Sequence, residues 1–287
     1  MSVDPIVSLG EPAAEQVRAW HAVVVASMAH DLPGLAPPDL ERFRMRLATG
    51  PTAAWAATVD GEVVGLAMLC LSTPVATAKA QVHVHPAYRC RGIGSGLLAA
   101  LAAEARARGR NGVILAAPAD GPGDGLCLRR GLTRVRTLHH LLLSMDDVHP
   151  AWLDELVAVE HPGYRLAGTA DVTRPGRRGR VPGDVLLTVA AEHARQVVGC
   201  TEVVIPGGIG TRVTQHDHPL VAGHRGLGLD LWIKAAMLRT LHDEYPQVDQ
   251  VATDNAEHDA DLLAVNRHLG FRLHHRTNEY RLDLPRP

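Results

Sequence analysis

One sequence pattern occurs twice in this chain, and the interval between its copies limits the possible folds. Residues 88–98 read YRCRGIGSGLL, and residues 224–231 read HRGLGLDL. Arg89 of the first copy recurs as Arg225 of the second, 136 positions later. Solenoid repeats recur every 20 to 50 residues or so, which is far shorter. The interval therefore predicts two tandem domains, and 287 residues suit two domains of about 140 residues each.

Local patterns predict an α/β fold for each copy. Ala54–Val59 and Val63–Leu71 are β-leaning runs joined by Asp60-Gly61, a strong signal for a two-residue hairpin. A helix is expected from about Gly94 to Arg108, and Val113–Ala117 is a short apolar strand. The order of helices, hairpin, strand, helix, strand, helix and strand predicts an α/β (α+β) domain with a mixed sheet, not a series of β-α-β units.

The boundary between the two copies is expected near residue 147. Asp146–Pro150 separates an extended segment from a new helix that begins at Trp152. We therefore expect an N-terminal domain at residues 1–147 and a C-terminal domain at residues 148–287.

The composition limits the class of protein. A formal net charge of -2 argues against a surface that coats nucleic acid. The four cysteines are far apart and form no C-x-x-C pair, so neither a disulfide framework nor a zinc site is indicated. The first ten residues lack the charged-then-apolar pattern of a leader, and no apolar run approaches 18 residues. A cytoplasmic protein without a membrane partner is expected.

The glycines of the repeated pattern suit an anion. Glycine at a strand-to-helix turn lets the backbone approach a ligand closely, and the helix that follows presents unpaired N–H groups and the positive end of its dipole. Such a turn suits a pyrophosphate. The order Gly92, Gly94, Gly96 does not fit the G-x-G-x-x-G fingerprint of dinucleotide-binding domains, and the nucleotide-binding loop that ends in Gly-Lys-Ser or Gly-Lys-Thr is missing.

The first copy resembles the Gln/Arg-x-x-Gly-x-Gly/Ala turn of the GNAT superfamily of acyl-CoA-dependent transferases. Its lead-in of Val84, Pro86, Tyr88 and Arg89 is also typical of that family. The resemblance extends to the second copy, so it covers nearly the whole chain as two GNAT folds, similar to tandem GNAT proteins of actinomycetes. It implies acetyl-CoA as the co-substrate, with its pyrophosphate at these turns, and no metal ion.

The resemblance also implies which residues contact the donor. They are Val84, Arg89, Arg91, Gly92, Ile93, Gly94, Ser95, Gly96, Leu220, Arg225, Gly226, Leu227 and Gly228. Asp230 departs from the pattern, because it occupies the position of the second glycine in the second copy. Its carboxylate would repel a diphosphate by an energy on the order of 1 kcal/mol or more. Either Asp230 points away, or the second turn no longer holds a pyrophosphate.

Acyl transfer to an amine needs a base, and GNAT enzymes commonly carry Glu or His on the strand before the turn. In the first copy the corresponding positions are Ala78 and Ala80, and in the second they are Thr214 and His216, with Asp217 beside them. Histidine accepts a proton near neutral pH, so His216 is the candidate base, with Asp217 as a second catalytic candidate. A hydrogen-bonded strand histidine without a catalytic part is an equal alternative.

Residues on a strand alternate between its two faces. His216 and His218 therefore share one face, and Gln215 and Asp217 share the other. We expect His218 to contact the substrate. A His-x-His metal pair is an alternative, but no third ligand is evident, so no metal site is predicted.

In this superfamily, protonation of the leaving thiolate often depends on a tyrosine four residues before the Gly of Leu-Gly-Phe. That position is Cys127 in the first copy and Asn266 in the second, so both depart from the family. Tyr280 near the C-terminus is the remaining catalytic candidate, and a packed strand tyrosine is the alternative. Asn255 and Asn266 also match residues usual in the C-terminal halves of such tandem proteins, where they are expected to line the substrate pocket.

The sequence thus predicts an N-acyltransferase that moves an acyl group, acetyl by default, from coenzyme A to an amine of a small molecule. One alternative is a GNAT-fold transferase that takes an aminoacyl group from charged tRNA. The basic loop Arg174–Gly183, RPGRRGRVPG, would suit that donor, although it would equally suit a solvated loop. A second alternative is a degenerate CoA-binding module without catalysis. The residues for the chemistry favour the C-terminal half of the chain, and Asp230 is the strongest argument against that half.

Overall fold

The computed structural model describes residues 7–9, 13–48, 52–71, 77–172 and 183–284. The chain divides into two compact units. Unit 1 comprises Met1–Thr137 together with Arg276–Pro287, and unit 2 comprises Leu138–His275. Among the helices within the described ranges, none is long and apolar enough to cross a membrane.

The two halves of the chain share one order of elements from their hairpins onward. In the first half the elements are β1 (Val7–Leu9), α1 (Ala14–Asp31), α2 (Leu40–Ala48), β2 (Thr52–Val59), β3 (Glu62–Cys70), β4 (Thr77–Val84), α3 (Ile93–Ala107), β5 (Gly112–Pro118), α4 (Pro122–Arg129) and β6 (Thr133–Ser144). In the second half they are α5 (Pro150–Val157), β7 (Tyr164–Val172), β8 (Val185–His193), β9 (Gln196–Ile205), β10 (Arg212–His218), α6 (Leu229–Glu244), β11 (Gln250–Ala256), α7 (Ala260–His268) and β12 (Arg272–Asp283). Each half contains a hairpin, β2-β3 or β8-β9, followed by a strand, helix, strand, helix and strand in that order.

The sheet of unit 1 has the strand order β1-β2-β3-β4-β5-β12. Neighbouring strands are antiparallel except β4 and β5, which are parallel. Asp60 and Gly61 join β2 to β3 with φ of 53° and 83°. Two successive positive φ values are typical of the type I′ turn, whose twist matches that of the strands. The hairpin predicted at Asp60-Gly61 is present.

The sheet of unit 2 has the strand order β6-β11-β10-β9-β8-β7. Its neighbouring strands are antiparallel except β10 and β11, which are parallel. Ala194 and Arg195, with φ of 49° and 65°, join β8 to β9 in the same kind of turn. Each unit therefore has a mixed, mostly antiparallel sheet with one parallel pair, which confirms the predicted fold class.

The final strand of each half pairs within the unit of the other half. β12 pairs with β5 in unit 1, and β6 pairs with β11 in unit 2. The compact units consequently divide between residues 137 and 138, and the chain returns to unit 1 at residue 276. The compact units do not test whether the chain can be separated into two domains between residues 147 and 148. That boundary stays a prediction.

The main core of unit 1 lies between its sheet and α3. Leu97, Leu98 and Leu101 recur at helical spacing and are at most 5% exposed. They pack with Ala78 and Ala80 of β4, whose small side chains let the helix approach the sheet closely. In unit 2 α6 has a buried apolar face of the same kind, but that face also contains a lysine.

Candidate functional site

The first glycine turn connects the end of β4 to the start of α3. A single 3-10 turn at residues 86–88 leads to Gly92, which is the N-cap of α3 with φ 83° and ψ -10°. This left-handed conformation favours glycine. Ile93, Gly94 and Ser95 open the helix, so their N–H groups have no acceptor within it and can receive an anion.

The packing around the first turn keeps the helix start free of side chains. A Cβ at Gly94 would lie 3.0 Å from Leu126 Cδ2. A Cβ at Gly65 on β3 would lie 2.9 Å from Ile93 Cγ2. Residues 89–96 contain no acidic side chain. The residues present therefore fit a diphosphate.

Arg89, which was predicted to contact the donor at the first turn, is bound to helix α1. Its Nη1 and Nη2 donate to the two carboxylate oxygens of Asp31, at 2.6 and 2.8 Å. Its Nε donates to the backbone carbonyl of Val84 at 3.1 Å. The side chains of Arg89 and Asp31 are each 15% exposed. The guanidinium therefore holds the turn against α1 and against the end of β4.

Three other residues of the first turn that were predicted to contact the donor instead contact other groups of the protein. The Arg91 guanidinium lies 5.2 Å from the centre of the Tyr88 ring. Ser95 Oγ accepts a hydrogen bond from Arg130 Nε at 3.0 Å. The N–H of Gly96 is bonded within the first turn of the helix. The N–H groups open to a ligand therefore precede residue 96.

The second glycine turn repeats this backbone geometry between β10 and α6. Gly226 and Gly228 have φ of 74° and 77°, and Gly228 is the N-cap of α6. Arg225 Nε donates to the backbone carbonyl of Leu220 at 3.2 Å, as the arginine of the first turn does to its own strand end. Leu227 is exposed between the two glycines. The two turns thus share a backbone conformation and an arginine contact.

Asp230 lies in the first turn of α6 and is partly buried. Burial raises the pKa of Asp230, and the negative charge of Asp217 raises it further. Lys234 and Arg225 act in the opposite direction. The charges that act on Asp230 thus come both from the turn, through Arg225, and from the buried residues Asp217 and Lys234.

Behind each glycine turn, two parallel strands cease to pair. β4 pairs with β5 up to Ala80 and Leu115, although both strands continue for at least three more residues. β10 pairs with β11 up to Gln215 and Thr253, and both strands continue for three more residues. The unpaired strand ends lie next to the turn. We call the space between them the slot of each unit.

The strand register corrects an equivalence predicted from the 136-residue interval. That interval places His216 at the position of Ala80. The last residues of the parallel pairing are instead Ala80 in β4 and Gln215 in β10. Gln215 therefore occupies the place of Ala80, and His216 occupies the place of Gln81. The prediction was wrong by one residue because the second copy has one more residue between its strand and its turn.

The slot of unit 2 is backed by a buried ion pair. Lys234 Nζ donates to both carboxylate oxygens of Asp217, at 2.9 and 2.8 Å. Thr201 Oγ1 donates to Asp217 Oδ1 at 2.9 Å, and Gln215 Nε2 donates to Thr201 Oγ1 at 2.9 Å. Thr253 Oγ1 lies 3.4 Å from Asp217 Oδ2. Both oxygens of this carboxylate are therefore bonded on the face that α6 covers.

Burial and the ion pair act in opposite directions on Lys234. Its side chain is 2% exposed, and this desolvation lowers the pKa of Lys234. Attraction to Asp217 and Asp230 opposes that shift. Nearby, Gln215 Oε1 is buried and has no hydrogen-bond partner in the described part of the chain. A buried polar layer with an unpaired acceptor is costly, so it is a candidate for a functional role.

The corresponding layer of unit 1 is apolar. The residues at the positions of Gln215, Asp217 and Lys234 are Ala80, Val82 and Leu98. The two units therefore differ both in the residues of the glycine turn and in the polarity of the slot. Unit 1 combines a side-chain-free turn with an apolar slot, whereas unit 2 combines an acidic residue at its turn with a polar slot.

His216 and His218 lie on the other face of β10, as strand alternation predicts. Both histidines are exposed, whereas Gln215 is 1% exposed. Glu202 of β9 is directly opposite His216, and its Oε2 lies 3.4 Å from His218 Nε2. This face thus brings two imidazoles and a carboxylate together on neighbouring strands.

Asn255 and Asn266, two predicted substrate contacts, meet in unit 2. Asn255 lies on β11 and Asn266 on α7, and Asn266 Nδ2 donates to Asn255 Oδ1 at 2.5 Å. The two residues are 5% and 0% exposed. Asn266 Oδ1 lacks a hydrogen-bond partner among the residues that the structure describes. It could accept a bond from a ligand or from an internal water.

Tyr280 belongs to unit 1, whereas His216 and Asp217 belong to unit 2. It is fully buried on β12, and its hydroxyl donates to Asp124 Oδ1 at 2.6 Å. Burial and this carboxylate raise the pKa of Tyr280 to about 12. Its environment is that of a packed strand tyrosine, and the three predicted catalytic residues do not all lie in one unit.

Three residues of the site were not predicted from the sequence, because each pairs with a residue distant in the chain. They are Asp31, Glu202 and Lys234. Lys234 left a signal, because it is a lysine inside the otherwise apolar run 232–238, WIKAAML. The basic loop predicted at Arg174–Gly183 lies, at residues 174–182, outside the described residues. Within those residues, no group of three or more His, Cys, Asp or Glu side chains could hold a metal ion.

Known proteins resemble this chain both in the sequence around the first glycine turn and in the fold. The model of the acetyltransferase (GNAT) family matches residues 20–122, which include the first glycine turn. Mycothiol acetyltransferase of Mycobacteroides abscessus is 32% identical over 185 residues. That match spans 59% of this chain and 59% of the relative, less than two thirds of its length.

Solved structures share the fold over the full length of the chain. A tandem GNAT protein from the clavulanic acid biosynthesis pathway superposes with a TM-score of 0.79 and 24% identity, and the match covers 99% of each chain. A GCN5-related N-acetyltransferase from Sphaerobacter thermophilus superposes with a TM-score of 0.73 and 17% identity, over 99% of this chain and 97% of that one. At these identities the likeness shows the fold, which is two GNAT folds in tandem.

Proposed function

We propose that this chain, a tandem member of the GNAT superfamily, is an N-acyltransferase that moves an acyl group from coenzyme A to an amine of a small molecule. The observation that carries the proposal is the slot between two parallel strands, directly behind a glycine-capped helix start in each unit. The helix start suits the carrier's diphosphate. The slot suits an extended acyl-bearing arm, because its strand edges keep backbone N–H and C=O groups available.

The reaction defines what the protein must supply. The amine nitrogen attacks the thioester carbon, so a carbon–nitrogen bond forms and the carbon–sulfur bond breaks. The ammonium must first lose a proton, and the departing thiolate gains one. Coenzyme A supplies the activated acyl group, with an acetyl group as the default. The chain supplies the grip on the donor, the orientation of the acceptor and the base.

We assign the tighter donor site to unit 1. Its turn has Gly94 where the turn of unit 2 has Asp230. A like charge at that place weakens diphosphate binding by about 1 kcal/mol, or roughly fivefold. The slot of unit 1 has Ala80 and Leu115 at its base, which leave room for the arm but cannot accept a proton.

We assign the acyl transfer to unit 2, from a donor bound at that unit's own, weaker glycine turn. His216 is exposed on β10 at the first residue beyond the strand pairing, so it is the proposed base. Asp217 and Lys234 form a fixed, buried ion pair behind the slot. His218 and Asn266 are the proposed acceptor contacts, since one lies on the face of the base and the other has an unpaired buried oxygen.

The acceptor is proposed to be a small cationic amine. The curated relative is named a mycothiol acetyltransferase, which supports a small-molecule acceptor. On the open face of unit 2, the Glu202 carboxylate lies 3.4 Å from the His218 imidazole. A carboxylate on that face attracts an ammonium before the base removes its proton.

Titration with acetyl-CoA tests the donor assignment. Calorimetry on the wild type should show one tighter and one weaker site. Gly94→Asp copies the acidic residue of unit 2 into unit 1 and should weaken the tighter site by about fivefold relative to Gly94→Ala. Gly94→Ala controls for the added Cβ, and Asp230→Gly should strengthen the weaker site. The assignment fails if Gly94→Asp leaves both affinities unchanged.

Turnover with a panel of primary amines tests the chemistry. Released coenzyme A is measured by chromatography, because Cys70 and Cys90 are exposed and would react with a thiol reagent. His216→Ala should lower kcat by about 10²-fold or more. His242→Ala on the surface of α6 is the matched control. Tight donor binding without turnover on any amine would instead support the degenerate binding module.

A further inference from the structure

The motif arginine makes one contact in both units and a second in unit 1. Arg89 Nε donates to the Val84 carbonyl at 3.1 Å, and Arg225 Nε donates to the Leu220 carbonyl at 3.2 Å. This contact spans the turn in each unit, from the arginine to the residue five positions earlier. In unit 1 the same guanidinium also binds Asp31, a residue that lies outside the motif.

Asp31 and Ser27 form a receptor for Arg89 at the end of α1. Asp31 is the last residue of that helix and accepts both Nη groups. Ser27, one turn earlier, lies 3.3 Å from Arg89 Nη2 and 3.4 Å from Asp31 Oδ2. Burial disfavours the charged carboxylate, but hydrogen bonds from Arg89 and His30 outweigh it, so the pKa of Asp31 lies below its ordinary value. The pair is therefore charged at neutral pH.

The bidentate pair changes what Arg89 can do. Its Nη groups are bonded and its charge is neutralised, so it is not available as a phosphate ligand. Arg225 differs, since within the described residues its Nη groups form no hydrogen bond to a carboxylate. The motif arginine of unit 1 is thus a structural clamp.

The clamp lies next to a strained backbone. Cys90, the residue after Arg89, has φ 59°, a left-handed conformation that is unfavourable for a residue with a Cβ. Unit 2 has Gly226 at the corresponding position, with φ 74°. The turn of unit 1 therefore needs an external restraint that the turn of unit 2 does not.

We propose that Asp31 is a positioning residue of the donor site in unit 1, a role that rests on the proposed function. Asp31 holds Arg89, and Arg89 holds the Val84 carbonyl at the end of β4. These contacts keep Cys90 in its strained conformation. They thereby fix the orientation of the free N–H groups at the start of α3 before the donor binds. They also join α1 to the donor turn.

Acetyl-CoA binding by Asp31→Asn tests this role in the full chain. We expect the dissociation constant of the tighter site to rise about tenfold, with kcat at saturating donor unchanged. Amide hydrogen exchange at residues 90–96 of the free protein should accelerate. If Arg89 were a phosphate ligand, the freed guanidinium would tighten binding. Tighter or unchanged binding overturns the proposal.

Two further variants separate positioning from general stability. Glu41→Gln breaks the exposed Arg44–Glu41 pair on α2, with the same loss of charge, and should leave the affinity unchanged. Cys90→Gly relieves the strain and should restore most of the affinity lost in Asp31→Asn. A failed rescue overturns the proposal.

The outcomes also separate this inference from the proposed function. A wild type that binds no acetyl-CoA refutes the donor site, and amide exchange in the free protein still tests the clamp. If Asp31→Asn does not fold, Ser27→Ala removes only one contact of the receptor. It should raise the dissociation constant about twofold to threefold and accelerate exchange at the turn, and no change in either measurement overturns the clamp.

Discussion

Lys234 of α6 and Asp217 of β10 form an ion pair with Nζ-to-oxygen distances of 2.9 and 2.8 Å, and their side chains are 2% and 10% exposed. The corresponding residues of unit 1 are Leu98 and Val82. A buried ion pair is seldom more stabilising than apolar residues of similar volume. Stability therefore does not explain the pair. Its place behind the slot favours a role in organising the polar groups there.

Breaking this pair should destabilise the protein strongly. Lys234→Met leaves the Asp217 carboxylate buried without its cation, and we expect a loss of about 3–5 kcal/mol in the free energy of unfolding. Chemical denaturation at neutral pH measures it. The double change Lys234→Leu with Asp217→Val copies unit 1 and should recover most of the loss.

A surface pair serves as the control. Arg239→Met breaks an ion pair with Asp154 in which both side chains are about half exposed, and it should cost no more than about 1 kcal/mol. If Lys234→Met costs as little as Arg239→Met, the carboxylate of Asp217 is not held as a buried charge.

Asp230 should reduce stability at neutral pH. Burial and Asp217 raise its pKa in the folded state, so the folded protein binds a proton that the unfolded chain has released. Stability consequently falls as the pH rises from the ordinary aspartate pKa, about 3.9, through the raised value. Asp230→Asn should be more stable than the wild type at pH 7, and the difference should vanish under acid conditions. Denaturation curves across this pH range measure it, and a constant difference would contradict the shift.

Patterns between near neighbours predicted much of the site. The hairpin at Asp60-Gly61 and the helix starts at Gly92 and Gly228 follow from backbone conformations that glycine allows. The opposite faces of Gln215 and His216 follow from the strand period. These features depend on a few consecutive residues, so a single sequence contains the information for them.

Contacts between distant residues were not predictable in the same way. Arg89 and Asp31 are 58 positions apart, and Tyr280 and Asp124 are 156 apart. Many acidic residues could have met that arginine, and only the folded chain selects one. The one-residue offset of β10 was not predicted for a related reason. An interval counted along the chain does not show where an additional residue lies. The exchange of β6 and β12 has no local signal, because each of these strands pairs with a strand from the other half of the chain.

His275 should make unit 2 sensitive to mild acid. Its ring stacks on that of His140, with 4.2 Å between centres and 5° between planes. Burial lowers the pKa of His275 to about 4, and the charges of His140, His274 and Arg212 add to the shift. The unfolded chain therefore binds a proton that the folded protein excludes. Stability should fall as the pH decreases from about 6.5, the ordinary histidine value, to about 4.

His275→Gln should reduce that acid sensitivity. The unfolding free energy of the variant, measured between pH 7 and pH 4, should decline less than that of the wild type. His258→Gln, at a side chain that is 75% exposed, is the matched control. NMR titration of the imidazoles gives an independent check. A His275 resonance that titrates near pH 6.5 would be inconsistent with its burial.

Tyr280 should make unit 1 sensitive to alkali. The folded protein keeps its hydroxyl proton until the pH approaches about 12, whereas an unfolded tyrosine releases it near pH 10. Stability should therefore fall as the pH rises through that window. Tyr280→Phe removes the bond to Asp124 and should cost about 1.5–3 kcal/mol at pH 7, while losing this alkaline decline. Tyr245→Phe is the control. Absorbance of tyrosinate should show one residue of four titrating late, and four tyrosines that titrate together near pH 10 would refute the buried pair.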